Sequence, residues 1–164
     1  MSKSIMIMRH ALTEGGAWNV PDTDRHILPD GAAQAERVAR KLLAANLIPD
    51  AVWTSHAQRA AETAQVVMNV LNISLEPDIL PLLYNEDEDR AVSAICSCDN
   101  SVNHLLVVAH NPLVSRLVSQ LSGSSAFGWF ATADVVWLQF DTNDWSQILT
   151  SPITGMTKFS SIRD

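Results

Sequence analysis

At 164 residues, 47% of them apolar, the chain is long enough for one domain (residues 1–164) with its own core, without disulfide or metal support. Its 11 Lys and Arg against 18 Asp and Glu leave a formal charge of −7. That balance argues against a nucleic-acid partner and offers little to hold an anionic membrane.

Met1 to Ser4 lead into an apolar burst, Ser4 to Met8, which stops at Arg9-His10 and reads as a buried strand. The burst is far shorter than the roughly 7–15 residues of a secretory h-region. With no membrane-length apolar run either, a cytoplasmic setting is expected. Thr13 to Leu28 is polar and rich in Gly, Asp and Asn, hence loop. A helix is expected from Pro29-Asp30, with Ala35, Val38, Ala39, Leu42 and Leu43 at helical spacing, ending before Pro49. Ala51 to Trp53 reads as a second strand. Ser55 is expected to cap a helix carrying Ala57, Ala61, Ala64, Met68 and Leu71 on one face.

Leu75 to Ile79 is expected as a short edge strand, since Pro77 does not suit a central one. A helix follows over Glu88 to Cys98. Its Cys96 and Cys98 lie two apart, a spacing that fits plain packing better than a redox pair or a ligand cluster. His104 to Ala109 is the clearest buried strand, and His110-Asn111-Pro112 opens a helix with Val114, Leu117, Val118 and Leu121 inward. Asp134 to Phe140 and Trp145 to Thr150 close the chain as an expected hairpin. This alternation predicts an α/β fold. It is a three-layer α/β/α sandwich with a mostly parallel central sheet and a C-terminal antiparallel hairpin.

In such sheets ligands bind outside the carboxyl ends of the strands. The first strand delivers Arg9 and His10 there, the second Ser55 to Arg59, and the fourth His110 with a helix N-terminus. Two arginines and two histidines among helix N-termini suit an anion, and phosphate fits best. A zinc site would need a third ligand at fitting spacing, which is absent, and the arginines would repel a cation. No metal and no cofactor are expected. His26 and His56 lack comparable support, and His104 starts its strand at the opposite end.

Met8-Arg9-His10-Ala11 resembles the Arg-His-Gly signature of the histidine phosphatase superfamily, which includes the phosphoglycerate mutases. Ser55 to Thr63 resembles its Ser-Pro-x-x-Arg-Ala-x-x-Thr segment, and Val108 to Pro112 its Gly-His-Asn-Pro segment. Arg25 to Gly31 stands where that family has Arg-Pro-Leu-Thr-x-x-Gly. The chain is most similar to the short SixA-type phosphohistidine phosphatases, down to Phe130-Ala131-Thr132-Ala133. The resemblance implies a phosphoglycerate mutase-like fold and a covalent phosphohistidine intermediate on His10. Arg9, Arg59 and His110 would hold the phosphoryl oxygens, with Arg25 and Asn111 as further substrate contacts.

Ala11 replaces the usual glycine, His56 a common proline, and His26 and Leu28 the Pro and Thr of the Arg-Pro-Leu-Thr-x-x-Gly motif. Glu86 and Asp87 are candidates for a general acid, although an acidic run is ordinarily a solvated helix start. A phosphorylated imidazole can depart as neutral imidazole, whereas an alkoxide needs a proton, which general acid help speeds by roughly 10²–10⁴-fold. A site without an acid therefore favours phosphohistidine on a protein. The alternatives are a small-molecule phosphomonoesterase or mutase, and a catalytically weak phospho-ligand or partner-binding domain.

Overall fold

A computed structural model describes residues 1–162. Six strands form one sheet: β1 (Lys3–Arg9), β2 (Ala51–Thr54), β3 (Asp78–Ile79), β4 (His104–Ala109), β5 (Val135–Phe140) and β6 (Ile153–Phe159). Their spatial order is β3-β2-β4-β1-β5-β6. The first four in that order pair parallel, while β5 pairs antiparallel with both β1 and β6. The helices are α1 (Pro29–Ala44), α2 (Gln58–Leu71), α3 (Glu88–Cys96) and α4 (Leu113–Ser122).

The inner strands β1 and β4 are buried on both faces because helices cover both. On β1, Ile5 and Ile7 pack with Ala91 and Ile95 of α3 and Leu113 and Leu117 of α4. Met6 and Met8 face the other way, onto Ala35, Val38 and Leu42 of α1 and Ala60, Ala64 and Val67 of α2. Alternation along one extended segment thus builds two cores. Each fully buried Ile, Leu or Met contributes roughly 1.5–3 kcal/mol of transfer free energy as an upper figure. The central strand of the sheet therefore anchors both layers. Lys3 is 1% exposed at its start. Its Nζ is satisfied by Asn100 O at 2.7 Å, Val102 O at 2.8 Å and Asn103 Oδ1 at 3.0 Å. Among the described residues no helix is long and apolar enough to cross a membrane.

Two expectations are corrected. The last strand is Ile153–Phe159, not Trp145 to Thr150. Asp144 accepts from Ser146 N and turns residues 145–147 into a 3-10 helix. The indole of Trp145, fully buried, donates to Val102 O at 2.8 Å. That segment therefore anchors a loop against the core, and the antiparallel pair forms beyond it. Ser55 is not the cap of α2 either. Ala57 holds that position without a side-chain bond, and the Ser55 hydroxyl is engaged elsewhere.

Candidate active site

The parallel register of β1 and β4 sets Arg9 opposite Ala109. His10 N donates to Ala109 O at 3.0 Å, carrying the ladder one step further. Residues 10 and 110 thereby leave the sheet side by side, and their rings lie 5.1 Å apart between centroids. On the other flank of β4, Thr54 of β2 is level with Val108. Ser55 then reaches His110, with Oγ to Nε2 at 2.6 Å. Arg59 is the second residue of α2, where the helix begins beside the same sheet edge. Thr63, one turn on, accepts from Ala11 N at 3.0 Å and ties the loop after β1 to α2.

His10 is 8% exposed, and its Nδ1 lies 2.8 Å from Ala11 O. A carbonyl accepts only, so Nδ1 carries the ring proton and Nε2 keeps its lone pair. Burial, and then the charges of Arg59, Arg9 and Arg25, lower its pKa to about 4 against the pull of the Ala11 bond. His110, also 8% exposed, is lowered to about 3, by burial first and then by His10 and Arg59. Both rings are neutral at physiological pH.

Arg9 donates Nη1 to Phe130 O at 3.0 Å, and burial lowers its pKa while Asp134 opposes the shift. Arg59, its side chain 6% exposed, donates Nη1 to Asp22 O at 2.7 Å and Nη2 to Asp22 Oδ2 at 2.9 Å. Among the described residues, the buried side-chain polar atoms with no partner include Arg9 Nε, Arg59 Nε and His110 Nδ1. Buried donors are ordinarily paired, because leaving one unpaired costs about 1–3 kcal/mol. An acceptor-rich anion is the kind of group that would satisfy such donors. A pocket of about 250 Å³ beside His110 is lined by Asp22, Arg59, Tyr84, Glu86, His110, Asn111 and Leu113, and Arg9 and His10 are not among its lining residues. Larger surface clefts of about 410 Å³ and 570 Å³ run along α3 and α4, and neither is lined by a histidine.

Arg25 stands apart from these donors. It bonds Asp22 Oδ1 through Nε at 3.1 Å, and Thr13 Oγ1 and Glu14 O through Nη1 at 3.2 Å each. It bears on His10 through its charge. Asn111 lines the pocket, with Nδ2 donating to Phe130 O at 3.0 Å and Oδ1 accepting from Ser115 Oγ at 2.8 Å. Glu86 is on the pocket wall, whereas Asp87 caps α3 by accepting from Arg90 N at 3.1 Å. His56 is exposed, its ring 4.8 Å from that of Tyr84; His26 pairs with Glu62, and His104 with Ser4 at the far edge. Among the described residues no group of three His, Cys, Asp or Glu is placed to hold a metal.

Sequence reasoning missed Asp22, Ser55 as a partner of His110, and Tyr84. A signal for Tyr84 existed, because it is the only tyrosine in the chain.

The sequence model of the histidine phosphatase superfamily (branch 1) matches residues 5–85. The chain is 26% identical over 139 residues to the phosphohistidine phosphatase SixA of Escherichia coli (strain K12), covering 84% of this chain and 85% of that protein. It is 31% identical over 85 residues to the 2,3-bisphosphoglycerate-dependent phosphoglycerate mutase of Rhodococcus opacus (strain B4). That match takes in 51% of this chain but spans only about a third, 34%, of the mutase. Among solved structures, the protein histidine phosphatase SixA complexed with tungstate superposes with a TM-score of 0.81. Identity there is 25%, over 96% of this chain and 97% of that one.

Proposed function

The chain belongs to the histidine phosphatase superfamily, and from that premise we propose that it hydrolyses phosphohistidine on a protein through a phosphoenzyme at His10. The observation that carries this reading is the set of unpaired buried donors, Arg9 Nε, Arg59 Nε and His110 Nδ1, gathered beside a neutral histidine. A relative with this fold holds tungstate, a tetrahedral oxyanion of the same shape class as phosphate.

His10 Nε2 attacks phosphorus, and the P–N bond to the substrate imidazole breaks with its electron pair going to nitrogen. With its other nitrogen protonated, that imidazole leaves neutral and needs no acid from the enzyme. Water then attacks the phosphoryl group on His10. The Nε2–P bond breaks, the pair returns to Nε2, the proton of the water goes to phosphate or solvent, and inorganic phosphate departs. Arg9, Arg59 and His110 hold the equatorial oxygens, so the protein's part is positioning and charge stabilisation, with no metal or cofactor. Arg25 supports the site through its charge and Asn111 by shaping the wall. The partner is a phosphohistidine-bearing protein of the cytoplasm.

The test is rapid quench with a labelled phosphohistidine protein, beside a panel of phosphate esters. An acid-labile, base-stable phosphoenzyme, absent from His10→Ala, is expected, with weak ester turnover. Vigorous turnover of sugar or glycerate phosphates would favour the small-molecule reading, and a fully active His10→Ala would overturn the mechanism.

A further inference from the structure

A guanidinium presents two usable edges, the end formed by Nη1 and Nη2 and the side formed by Nε and one Nη. On Arg59 the end is taken by Asp22, its backbone O on Nη1 at 2.7 Å and its Oδ2 on Nη2 at 2.9 Å. Nε stays buried and unpaired. Asp22 is itself held from two more directions. Tyr84 Oη donates to Oδ2 at 2.5 Å, and Arg25 Nε to Oδ1 at 3.1 Å. The Tyr84 ring stands edge-on to His110 with centroids 5.5 Å apart.

Resting on the phosphoryl-transfer reading above, we propose that Asp22 is a positioning residue. It grips the end of Arg59 so that the side edge faces the phosphoryl oxygens, and Tyr84 fixes the grip. Asp22 lines the pocket, and its role in this proposal is exerted through Arg59. A carboxylate among arginines also suggests a resident anion competing for the phosphate position. The contacts speak against that, because such an anion would engage the waiting donors. Arg9 Nε, Arg59 Nε and His110 Nδ1 are all left unpaired. Half of the grip, moreover, is a neutral backbone carbonyl. The side chain of a free arginine samples many rotamers, and holding it in place before substrate arrives moves that ordering cost from the reaction to folding.

The two readings give opposite results when the carboxylate is removed. The full chain is compared as wild type, Asp22→Ala, Asp22→Asn and Tyr84→Phe, reading kcat and KM on phosphohistidine and the Kd of vanadate and of inorganic phosphate. Vanadate mimics five-coordinate phosphorus, so it reports transition-state geometry. For Asp22→Ala we expect kcat/KM and vanadate affinity to fall together by about 10–100-fold. Phosphate affinity stays within about 3-fold or tightens, because one negative charge has left the site. Asp22→Asn, whose amide oxygen still accepts from Arg59, recovers most of the loss, and Tyr84→Phe loses about 3–10-fold. The Asp22 side chain is 49% exposed, so its loss leaves the core intact. Unchanged kcat/KM in Asp22→Ala, or tighter vanadate and phosphate binding together, overturns the proposal. The vanadate arm needs no turnover. If wild type makes no phosphoenzyme but Asp22→Ala still loses vanadate affinity, the function proposed above fails and the positioning role stands. If wild type binds neither anion, both fall.

Discussion

Ser55 Oγ lies 2.6 Å from His110 Nε2, joining the ends of β2 and β4. The amide of Ala57 donates to the same oxygen at 3.3 Å, which directs the hydroxyl proton toward Nε2. We assign the single proton of His110 to Nδ1 on this pattern. Nδ1 is the atom left without a partner, so the tautomer turns it into a donor for an incoming oxygen.

Ser55→Ala should therefore release His110 between two tautomers and lower kcat/KM by about 3–10-fold, the size of one buried hydrogen bond. Imidazole ¹⁵N shifts of His110 check the cause. A single unchanged tautomer in the variant would show that Ser55 does not set it.

The pH dependence follows from the two neutral rings. In an unfolded chain histidines titrate near 6.5, whereas folded His10 and His110 take a proton only at about 4 and about 3. Between those limits the unfolded chain binds more protons. The contribution of these two rings to stability is thus complete above pH 6.5 and is lost progressively as pH falls toward 4 and then 3. On the mechanism proposed above, the acid limb of kcat/KM should lie near pH 4, because a protonated His10 would have no lone pair to attack with. Melting temperature against pH, with His10→Gln and His110→Gln for comparison, checks the first statement. A limb at pH 6.5 would count against the second.

Asp87 is occupied by the backbone of α3. Asp87→Ala should cost about 1 kcal/mol of stability through loss of the cap and leave turnover of phosphohistidine unchanged. Glu86→Gln should also leave it unchanged, although Glu86 lines the pocket. Ester and phosphohistidine kinetics on both variants are the measurement. A loss of about 10²-fold on the ester alone would identify the altered carboxylate as a general acid.

Gly31 is required by a close approach. A Cβ there would meet Leu12 O at 2.2 Å and Leu12 N at 3.0 Å. Leu12 O also accepts from Leu28 N at 2.9 Å, so the segment after His10 is pinned against the start of α1. Gly31→Ala should cost about 1–3 kcal/mol and lower kcat as well, by moving the carbonyl of Ala11 that holds the His10 ring. Denaturant midpoints and kcat on one preparation test this. Loss of stability with full kcat would mean the strain does not reach residue 11.

What the sequence disclosed, and what it withheld, divides by the range of the interaction. Ile5 to Met8 and Leu105 to Ala109 are unbroken apolar runs, so the strands and the polar residues at their ends were legible. Parallel pairing then forces His10 and His110 together. Arg59 was legible because a helix starts at a fixed distance after β2. Asp22 lies in a stretch with no periodicity, and only folding brings it to Arg59, 37 positions away. Ser55 looked like a cap because serine before a helix usually is one; a histidine 55 residues later claims its oxygen instead. The last strand was misplaced because Trp145 suits a strand locally, but burial against Val102 holds it in a turn.

The carbonyl of Phe130 accepts from both Arg9 Nη1 and Asn111 Nδ2, at 3.0 Å each. Arg9 ends β1 and Asn111 lies just past the end of the neighbouring strand β4, and Phe130 follows both in the chain. A nascent polypeptide emerging up to residue 120 would already carry His10, Arg9, Arg59 and His110 yet lack the group that aims one of them. Among the described residues, those after 120 supply no cation to the pocket wall, but translation has to reach Phe130 before the guanidinium of Arg9 is fixed. Catalytic competence should accordingly appear during synthesis as a late, single step, and not in proportion to the motifs already made.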